Sequence, residues 1–504
     1  EGYINHKKLN FDKENLDLFF QPLFPKLKIQ KIKFNSNNSF VFEITKKYEI
    51  KNYNILSEMF VDELLISNNF DLKNFFPNIK KDILFSDNKI SKKYNKNYFN
   101  INGSGDILLQ DKKDSLNFRV NKNNKILDFK GSLTIKDNPF IINFLNYKKS
   151  GKNEIHIQLE GHQKKNETFV KKLFLSEAKN KINFKNLVVN QKFEIIKLDS
   201  IKLDYIDKDK QKNFVNFYKK KNSFNLKGTY FNANKLIDNL LFDNNENSKI
   251  FSINNKIFVD IDKVQLDNEY YLSNFSGDIL FENKEVVKAD FNGSFSDGKK
   301  LKFTINTNEN NKITTLFIDK AKPIVRRYKF IKGFDEGSLD FYSSKKFGES
   351  ISQLKIYDFK LKELPVLTKI LTLASLQGIA DILSGEGIRF DEFEMNFKNK
   401  GKLMTIDEIY AIGPAISILM EGYVEKDELI SLRGTLVPAT TINKFIGSLP
   451  VLGKILVGSK TGEGVFGVSF KIKGPPTKLE TSVNPIKTLT PRFITRTLEK
   501  IKKN

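Results

Sequence analysis

The sequence has no cysteine and no tryptophan, and it has only three histidines among 504 residues. Without cysteine there are no disulfide bonds, no thiol nucleophiles and no cysteine-type zinc sites, although an oxidising compartment is still allowed. His156 and His162 occupy polar positions in a run where apolar and polar residues alternate. We therefore expect both to face water, and the sequence predicts neither a metal site nor a cofactor.

Long apolar runs are also missing. The best candidate, residues 364–383, contains Lys369, Gln377 and Asp381, whereas a membrane-spanning helix needs about 20 predominantly apolar residues. The chain begins with Glu1 and lacks the charged, apolar and small-residue order of a signal peptide. We expect the sequence to be a fragment or a processed form, with its targeting signal elsewhere.

Motifs that would indicate an enzyme are absent. Residues 447–454, GSLPVLGK, have five residues between the glycines rather than the four of a phosphate-binding loop. Ile455 then stands where Ser or Thr would hold magnesium. The acidic pairs 391–392 and 407–408 are adjacent in sequence, so their side chains would point to opposite faces of a strand. The sequence therefore predicts no enzymatic activity.

The charge balance is strongly basic, with 84 Lys and Arg against 60 Asp and Glu, or a net charge of +24. Such a balance can indicate binding to nucleic acid or to an anionic membrane. Here the lysines are scattered among Asn-rich turns such as 92–98 and 207–213, and no recognition-helix motif is present. This pattern favours a solvated surface, with a basic nucleic-acid-binding protein as an alternative.

Strict alternation of apolar and polar residues dominates from residue 103 onward. Leu127, Phe129, Gly131, Leu133 and Ile135 occupy every second position, which predicts a half-buried strand. Similar short runs recur between turn residues, at a spacing typical of antiparallel strands. They are Ile155, Ile157 and Leu159; Ile201, Leu203 and Tyr205; Phe224, Leu226 and Tyr230; Ile257, Val259 and Ile261; Ala289, Phe291 and Phe295; and Leu301, Phe303 and Ile305. In the less regular first 100 residues, the residue pattern of 55–66 predicts a helix.

The order of these elements limits the fold. The chain is too long for one compact core, and it lacks the helical patterns between strands that a parallel α/β sheet requires. Several sandwiches, a barrel or one long sheet would fit. Because no clear linkers occur before Ala321, we predict a mainly β protein with an elongated, curled antiparallel sheet that forms an apolar groove, plus a few short α-helices near the C-terminus. About 25 strands would make a sheet about 120 Å long.

Three regions are predicted within this fold. Residues 1–100 form an irregular β-rich part of the groove, truncated upstream; 101–360 form a continuous antiparallel groove; and 361–504 form a C-terminal region with amphipathic helices and a terminal cap. Phenylalanines would suit lipid acyl chains, although the same side chains could pack in the closed core of a structural surface protein. The predicted groove lining consists of Leu127, Phe129, Leu133, Ile135, Ile155, Ile157, Leu159, Phe291, Phe295, Leu301, Phe303, Ile305, Phe466, Val468 and Phe470.

The end of the chain carries two further patterns. Glycines between 453 and 467 predict a tight turn into a strand over 465–472. After it, basic and apolar residues mix in an amphipathic pattern that would lie on an anionic membrane or dock on a partner, unless it is a frayed tail. The predicted contact residues are Arg492, Phe493, Arg496, Leu498, Lys500 and Ile501.

Four segments in this region resemble a known family: LPVLTKILTLASLQGIADIL (364–383), GTLVPATTIN (434–443), SLPVLGKILVGSKTGEGVFGVSFKIKGPP (448–476) and VNPIKTLTP (483–491). They are similar to the C-terminal region of the AsmA-like bacterial envelope proteins, particularly the long YhdP-like members. A looser similarity covers 138–161.

The resemblance implies a bridge-like lipid-transport protein that carries phospholipid between the inner and outer membranes. It also implies a location in the periplasm, an N-terminal inner-membrane anchor outside this chain, and an envelope protein partner at the C-terminal end. Nucleic acid is not an expected partner.

Overall fold

A computed structural model describes residues 1–13, 16, 28–68, 71–95, 98–123, 126–191, 195–242, 254–283, 285–328, 332–363, 370, 387–438, 467–476 and 478–486. These residues lie mainly in β-strands, and 27 strands belong to one large curled sheet. The predicted mainly β fold is therefore confirmed. The chain divides into two compact units: unit 1 holds Glu1–Asn268 with Phe281–Glu285, and unit 2 holds Glu269–Leu280 with Val286–Asn504. The three predicted regions stay a prediction.

Unit 1 is built from consecutive strands joined mostly as antiparallel neighbours. Its strands are β1 (Gly2–Asp12), β2 (Ile29–Ile44), β3 (Ile50–Ser67), β4 (Asp82–Asn95), β5 (Tyr98–Leu108), β6 (Asp114–Asn123), β7 (Ile126–Ile135), β8 (Ile141–Ile142), β9 (Tyr147–Lys148), β10 (Ile155–Lys164), β11 (Glu167–Glu177), β12 (Asn180–Val189), β13 (Ile195–Lys197), β14 (Ser200–Ile206), β15 (Lys212–Lys220), β16 (Ser223–Asn232) and β17 (Asn255–Gln265).

Two connections in unit 1 depart from a simple meander. Strands β8 and β9 form a separate ribbon around the 3-10 turn Asn143–Leu145, and β7 pairs directly with β10. Strands β16 and β17 are parallel. A parallel pair needs a crossover connection, and this one contains helix α1 (Asn234–Phe242). The sheet is thus antiparallel with one parallel pair in unit 1.

Unit 2 also consists mainly of strands. They are β18 (Tyr271–Glu282), β19 (Glu285–Ser294), β20 (Lys300–Asn308), β21 (Asn311–Ile318), β22 (Lys332–Lys346), β23 (Glu349–Glu363), β24 (Ile388–Lys400), β25 (Leu403–Ile412), β26 (Ile416–Glu425), β27 (Leu429–Pro438), β28 (Gly467–Gly474) and β29 (Glu480–Ile486). From β19 to β29 each strand pairs with the next in antiparallel fashion. Helix α2 (Lys322–Val325) lies between β21 and β22.

The alternating runs identified in the sequence form strands β7, β10, β14, β16, β17, β19 and β20, with Phe295 one residue beyond β19. The helix predicted over 55–66 is wrong, because this segment lies inside β3. A register shift in the pairing of β2 with β3 places Val61 opposite Phe34 and Glu63 opposite Lys33. Val61 and Leu64 therefore share a face although they are three residues apart, a spacing that imitates a helix.

The two edges of unit 1 differ. Short turns connect β2 to β3, β4 to β5, β6 to β7, β10 to β11 and β15 to β16, and the register places all of them at one edge, named here the hairpin edge. The long connections 68–81 and 136–154 leave from the opposite edge, named here the loop edge. Side chains of the loop-edge connections can therefore fold back over the sheet.

Several sequence predictions fall on residues that the structure does not describe. They are the helix 364–383, the glycine-rich passage before Gly467, and the contact residues at 492–501; within the first, Ile370 alone is described, helical and buried. The strand predicted over 465–472 corresponds to β28. In the described part of the chain, no helix has the length and apolarity needed to cross a membrane.

Candidate functional site

The alternating apolar residues of β7 and β10 lie side by side. Leu133 is opposite Ile157, and Phe129 is opposite Gly161. The residues between them are polar, with Lys130 opposite Glu160 on the other side of the sheet. These strands therefore have one apolar and one polar face, as their sequence pattern predicts.

Cross-strand pairing extends this apolar face across unit 1. One row runs through eight adjacent strands, β6, β7, β10, β11, β12, β14, β15 and β16, and its length is about 34 Å at about 4.8 Å per strand. Its members are Phe118, Gly131, Leu159, Leu173, Phe184, Ile201, Phe217 and Leu226. The row connects residues predicted to line a groove with residues of β11 and β12 that the sequence analysis did not single out.

Burial changes along the strands of this face. Ile135 and Ile155, at the loop edge, are both 0% exposed, whereas Leu159 is 37% exposed. Residues 139–149, named here the plug, cover the two isoleucines with Phe140, Leu145 and Tyr147, all in one core cluster. Ile135 and Ile155 therefore lie in a closed core, Leu133 and Ile157 are half-buried and pack against that core, and Leu127 and Phe129 are half-buried further along the face.

Buried hydrogen bonds hold the plug against the sheet. The Tyr147 hydroxyl donates to Glu177 Oε2 at 2.6 Å, and the Ser150 amide donates to Glu177 Oε1 at 2.7 Å. The Tyr205 hydroxyl donates to the Leu145 carbonyl at 2.9 Å. Burial, and then the hydrogen bond to Glu177, raise the pKa of Tyr147 above its ordinary value, so this phenol stays protonated and donates.

Unit 2 has its own apolar face, which is also built from cross-strand rows. The first row contains Leu301, Ile318, Leu339, Ile356, Phe393, Ala411, Ile418, Leu436 and Val468. The next row contains Phe303, Leu316, Phe341, Leu354, Met395, Ile409, Met420, Gly434, Phe470 and Val483.

The predicted lining residues of unit 2 take different positions on this face. Phe291 stacks against Phe303, with ring centroids 6.4 Å apart, and both are half-buried, as is Ile305. Phe295, Leu301, Val468 and Phe470 are buried. Phe466 lies outside the described residues. Leu301 and Val468 of the first row are therefore enclosed, as is Phe470 of the second row, whereas Phe291, Phe303 and Ile305 belong to the more open part.

Phenylalanine rings on both apolar faces lie over glycines of the neighbouring strand. A Cβ added at Gly103 would overlap the ring of Phe118, and one added at Gly434 would overlap the ring of Phe470. The rings thus cover bare backbone, which compensates for the missing glycine side chains. Glycine opposite phenylalanine is a signal that sequence reasoning could have used, but it requires the strand register.

The polar faces of the described strands carry ion pairs. Lys171 Nζ lies 3.0 Å from Glu160 Oε1 in unit 1, and an Arg433 guanidinium nitrogen lies 2.8 Å from Glu421 Oε1 in unit 2. His156 Nδ1 is 3.0 Å from the Thr134 hydroxyl, and it is exposed. Among the described side chains, no three His, Asp or Glu residues are grouped as metal ligands.

Comparison with known proteins does not identify the chain. A scan against models of protein families, a search of curated proteins and a search of solved structures each found no match. The resemblance to the AsmA-like family over 364–491 therefore rests on the sequence segments themselves.

Proposed function

We propose that this chain is a bridge-like lipid-transport protein of the bacterial cell envelope. Acyl chains lie on the apolar faces while headgroups stay in water, and no bond is made or broken. The observation that carries the proposal is the row of largely half-buried apolar side chains that crosses eight adjacent strands of unit 1.

The size of the faces supports this proposal. Three rows spaced two residues apart span about 13 Å along the strands, so the row of about 34 Å in unit 1 corresponds to roughly 450 Å². Apolar patches of a few hundred Å² on soluble proteins are often functional, and unit 2 carries a second such face. One leaflet's hydrocarbon is about 15 Å thick, half of a bilayer core. An acyl chain therefore matches the width of the face.

The alternatives account for less of the geometry. A closed structural core describes the plug region, where Ile135 and Ile155 are fully buried, and the cluster of Leu198, Phe217 and Phe224, but not Leu159, which is 37% exposed. A nucleic-acid-binding role would use the lysines, yet several on the polar face are paired with carboxylates, as Lys171 is with Glu160. The nucleic-acid-binding role also leaves the apolar rows without a function.

The proposed cellular location and partners rest on the resemblance alone. It would put the chain in the periplasm, with phospholipids and the inner and outer membranes as partners and an envelope protein at the C-terminal end. Direction and energy supply would come from those partners.

Lipid analysis of the purified protein tests the proposal. Mass spectrometry of an organic extract should detect phospholipid, and Phe303→Asp should reduce it severalfold because a carboxylate interrupts the apolar row. Asn306→Asp is the matched control, since Asn306 is exposed on the polar face of the same strand. Absence of lipid from the wild-type protein, or bound nucleic acid released steeply by salt, would contradict the proposal.

A further inference from the structure

The hairpin edge of unit 1 carries two lysines on the apolar face. Lys92 of β4 is opposite Ile101 of β5, and Lys122 of β6 is opposite Phe99 of β5. Ile101 is in turn opposite Val120, which is opposite Phe129 of β7. Both ammonium groups therefore extend from the side of the sheet that holds the apolar rows.

Aromatic rings lie close to Lys92. Lys92 Nζ lies 5.5 Å from the ring centroid of Tyr94 and 5.8 Å from that of Phe99. The Tyr53 hydroxyl donates to the Tyr94 hydroxyl at 3.3 Å, and the two rings are 5.6 Å apart. The hydrogen bond from Tyr53, and then burial, raise the pKa of Tyr94, while Lys92 and Lys122 act to lower it. Both lysines are thus close enough to act electrostatically on the Tyr94 hydroxyl.

No carboxylate pairs with Lys92 or Lys122 among the described side chains. At the loop edge of the same unit, by contrast, Lys113 Nζ lies 2.9 Å from Asp87 Oδ2 and 3.4 Å from Asp106 Oδ2. At one hairpin of unit 2, Lys402 Nζ is 3.5 Å from Glu428 Oε1. Lys92 and Lys122 therefore place two positive charges, without a paired carboxylate in the described part of the chain, on the apolar face.

We propose that Lys92, Lys122 and the Tyr53–Tyr94 hydroxyl pair form a subsite for the phosphate of an anionic phospholipid headgroup. The inference rests on the proposed function and names its substrate class. Lysine supplies compact positive charges for a phosphate, and the Tyr94 hydroxyl, which accepts a hydrogen bond from Tyr53, still has its own proton to donate. Lysines and aromatic rings between an apolar region and water are also the arrangement found at membrane interfaces.

The position of the subsite selects a phospholipid over free phosphate. From Lys122 the next residues on the same face are Phe99 and Leu127, and Phe129 follows along β7. A phosphate held by the lysines therefore has an apolar path for its acyl chains within about 7 Å, one two-residue step along a strand. Free phosphate would gain nothing from that path.

The test compares Lys92→Gln/Lys122→Gln with Lys130→Gln/Lys185→Gln. Lys130 and Lys185 are exposed, and they lie on the polar face, so both double variants lose the same charge. Each full-length protein is incubated with vesicles of phosphatidylglycerol or of phosphatidylcholine, and the lipid it retains is quantified. We expect the Lys92→Gln/Lys122→Gln variant, named here the rim variant, to lose at least tenfold in affinity for phosphatidylglycerol, because each lysine near an anionic surface contributes about 1 kcal/mol. The loss for phosphatidylcholine should be smaller, and the control should match wild type.

The outcomes separate this inference from the proposed function. If the rim variant loads phosphatidylglycerol as the wild type does, the subsite is wrong while lipid binding stands. If the wild type retains no lipid, both fail. Competition of loading by millimolar inorganic phosphate, or a rim variant that loses only single-stranded DNA binding, would overturn the lipid assignment. Circular dichroism and the single variant Lys122→Gln, at an exposed position, exclude misfolding as the cause.

Discussion

Strand β7 allows the open and the closed parts of the apolar face to be compared within one element. Phe129 is half-buried, and Ile135, six residues along the same face, is 0% exposed beneath the plug. We predict that Phe129→Asp leaves unit 1 folded and that Ile135→Asp does not. The two variants introduce the same charge into the same strand, so their difference reports on what covers each position.

The magnitudes follow from burial. Full burial of a large apolar side chain contributes about 1.5 to 3 kcal/mol, so the half-buried Phe129 should contribute about 1 kcal/mol. A carboxylate there stays in water, and with the lower strand propensity of Asp the total loss is about 1 to 2 kcal/mol. At Ile135 the whole transfer free energy is lost, and a carboxyl group is buried without a partner. That loss is about 4 to 6 kcal/mol, comparable with the entire stability of many proteins.

Urea unfolding followed by circular dichroism measures both losses, and lipid loading is measured on the same samples. Phe129→Asp should bind severalfold less lipid while it unfolds close to the wild-type midpoint. Phe129→Leu, which keeps the position apolar, is the control for shape. Equal destabilisation by the two aspartates would refute the reasoning, because it would mean that Phe129 is as enclosed as Ile135.

Two further predictions concern packing and pH. Gly103→Ala should cost about 1 to 2 kcal/mol in urea unfolding because its Cβ displaces the Phe118 ring, whereas Gly151→Ala, where a Cβ meets nothing within 4 Å, should cost under about 0.5 kcal/mol. Hydrogen bonds from Lys362 and then Lys322 lower the pKa of Asp335 to about 2. Its contribution to stability should therefore be complete above about pH 4 and be lost between about pH 4 and pH 2. Asp335→Asn should flatten the stability profile in that window, and an unchanged profile would contradict the assignment.

Alternation made the strands predictable where nothing interrupts the pleat. In β7 each apolar residue of the run from Leu127 to Ile135 lies on the predicted face. In β3 the register shift between Val61 and Glu63 inserts an extra residue, and the pattern then imitates a helix. A bulge is a property of two paired strands, so one strand's sequence does not reveal it.

The closed part of the apolar face could not be predicted by the same reasoning. The alternation of apolar and polar residues shows on which face of the sheet a side chain lies, but it does not show whether another segment of the chain covers that face. The plug is a non-alternating segment that reaches Ile135 and Ile155 from the chain between their own strands. Its anchors, Tyr147 on Glu177 and Tyr205 on the Leu145 carbonyl, are long-range contacts with no sequence pattern. The parallel pairing of β16 with β17 is likewise a property of the crossover's path.

The difference between the two edges of unit 1 constrains how an amphipathic ligand can lie there. At the loop edge, buried hydrogen bonds fix the plug over the base of the apolar face, so an acyl chain cannot leave by that side without breaking the Tyr147–Glu177 contact. At the hairpin edge Leu198 packs on Phe217 and Phe224, whereas Lys92 and Lys122 supply positive charge beside β5. A phospholipid is therefore favoured with its phosphate at the hairpin edge and its tails toward the plug. A neutral lipid would lack that preference, so orientation would be a property of anionic lipids in particular.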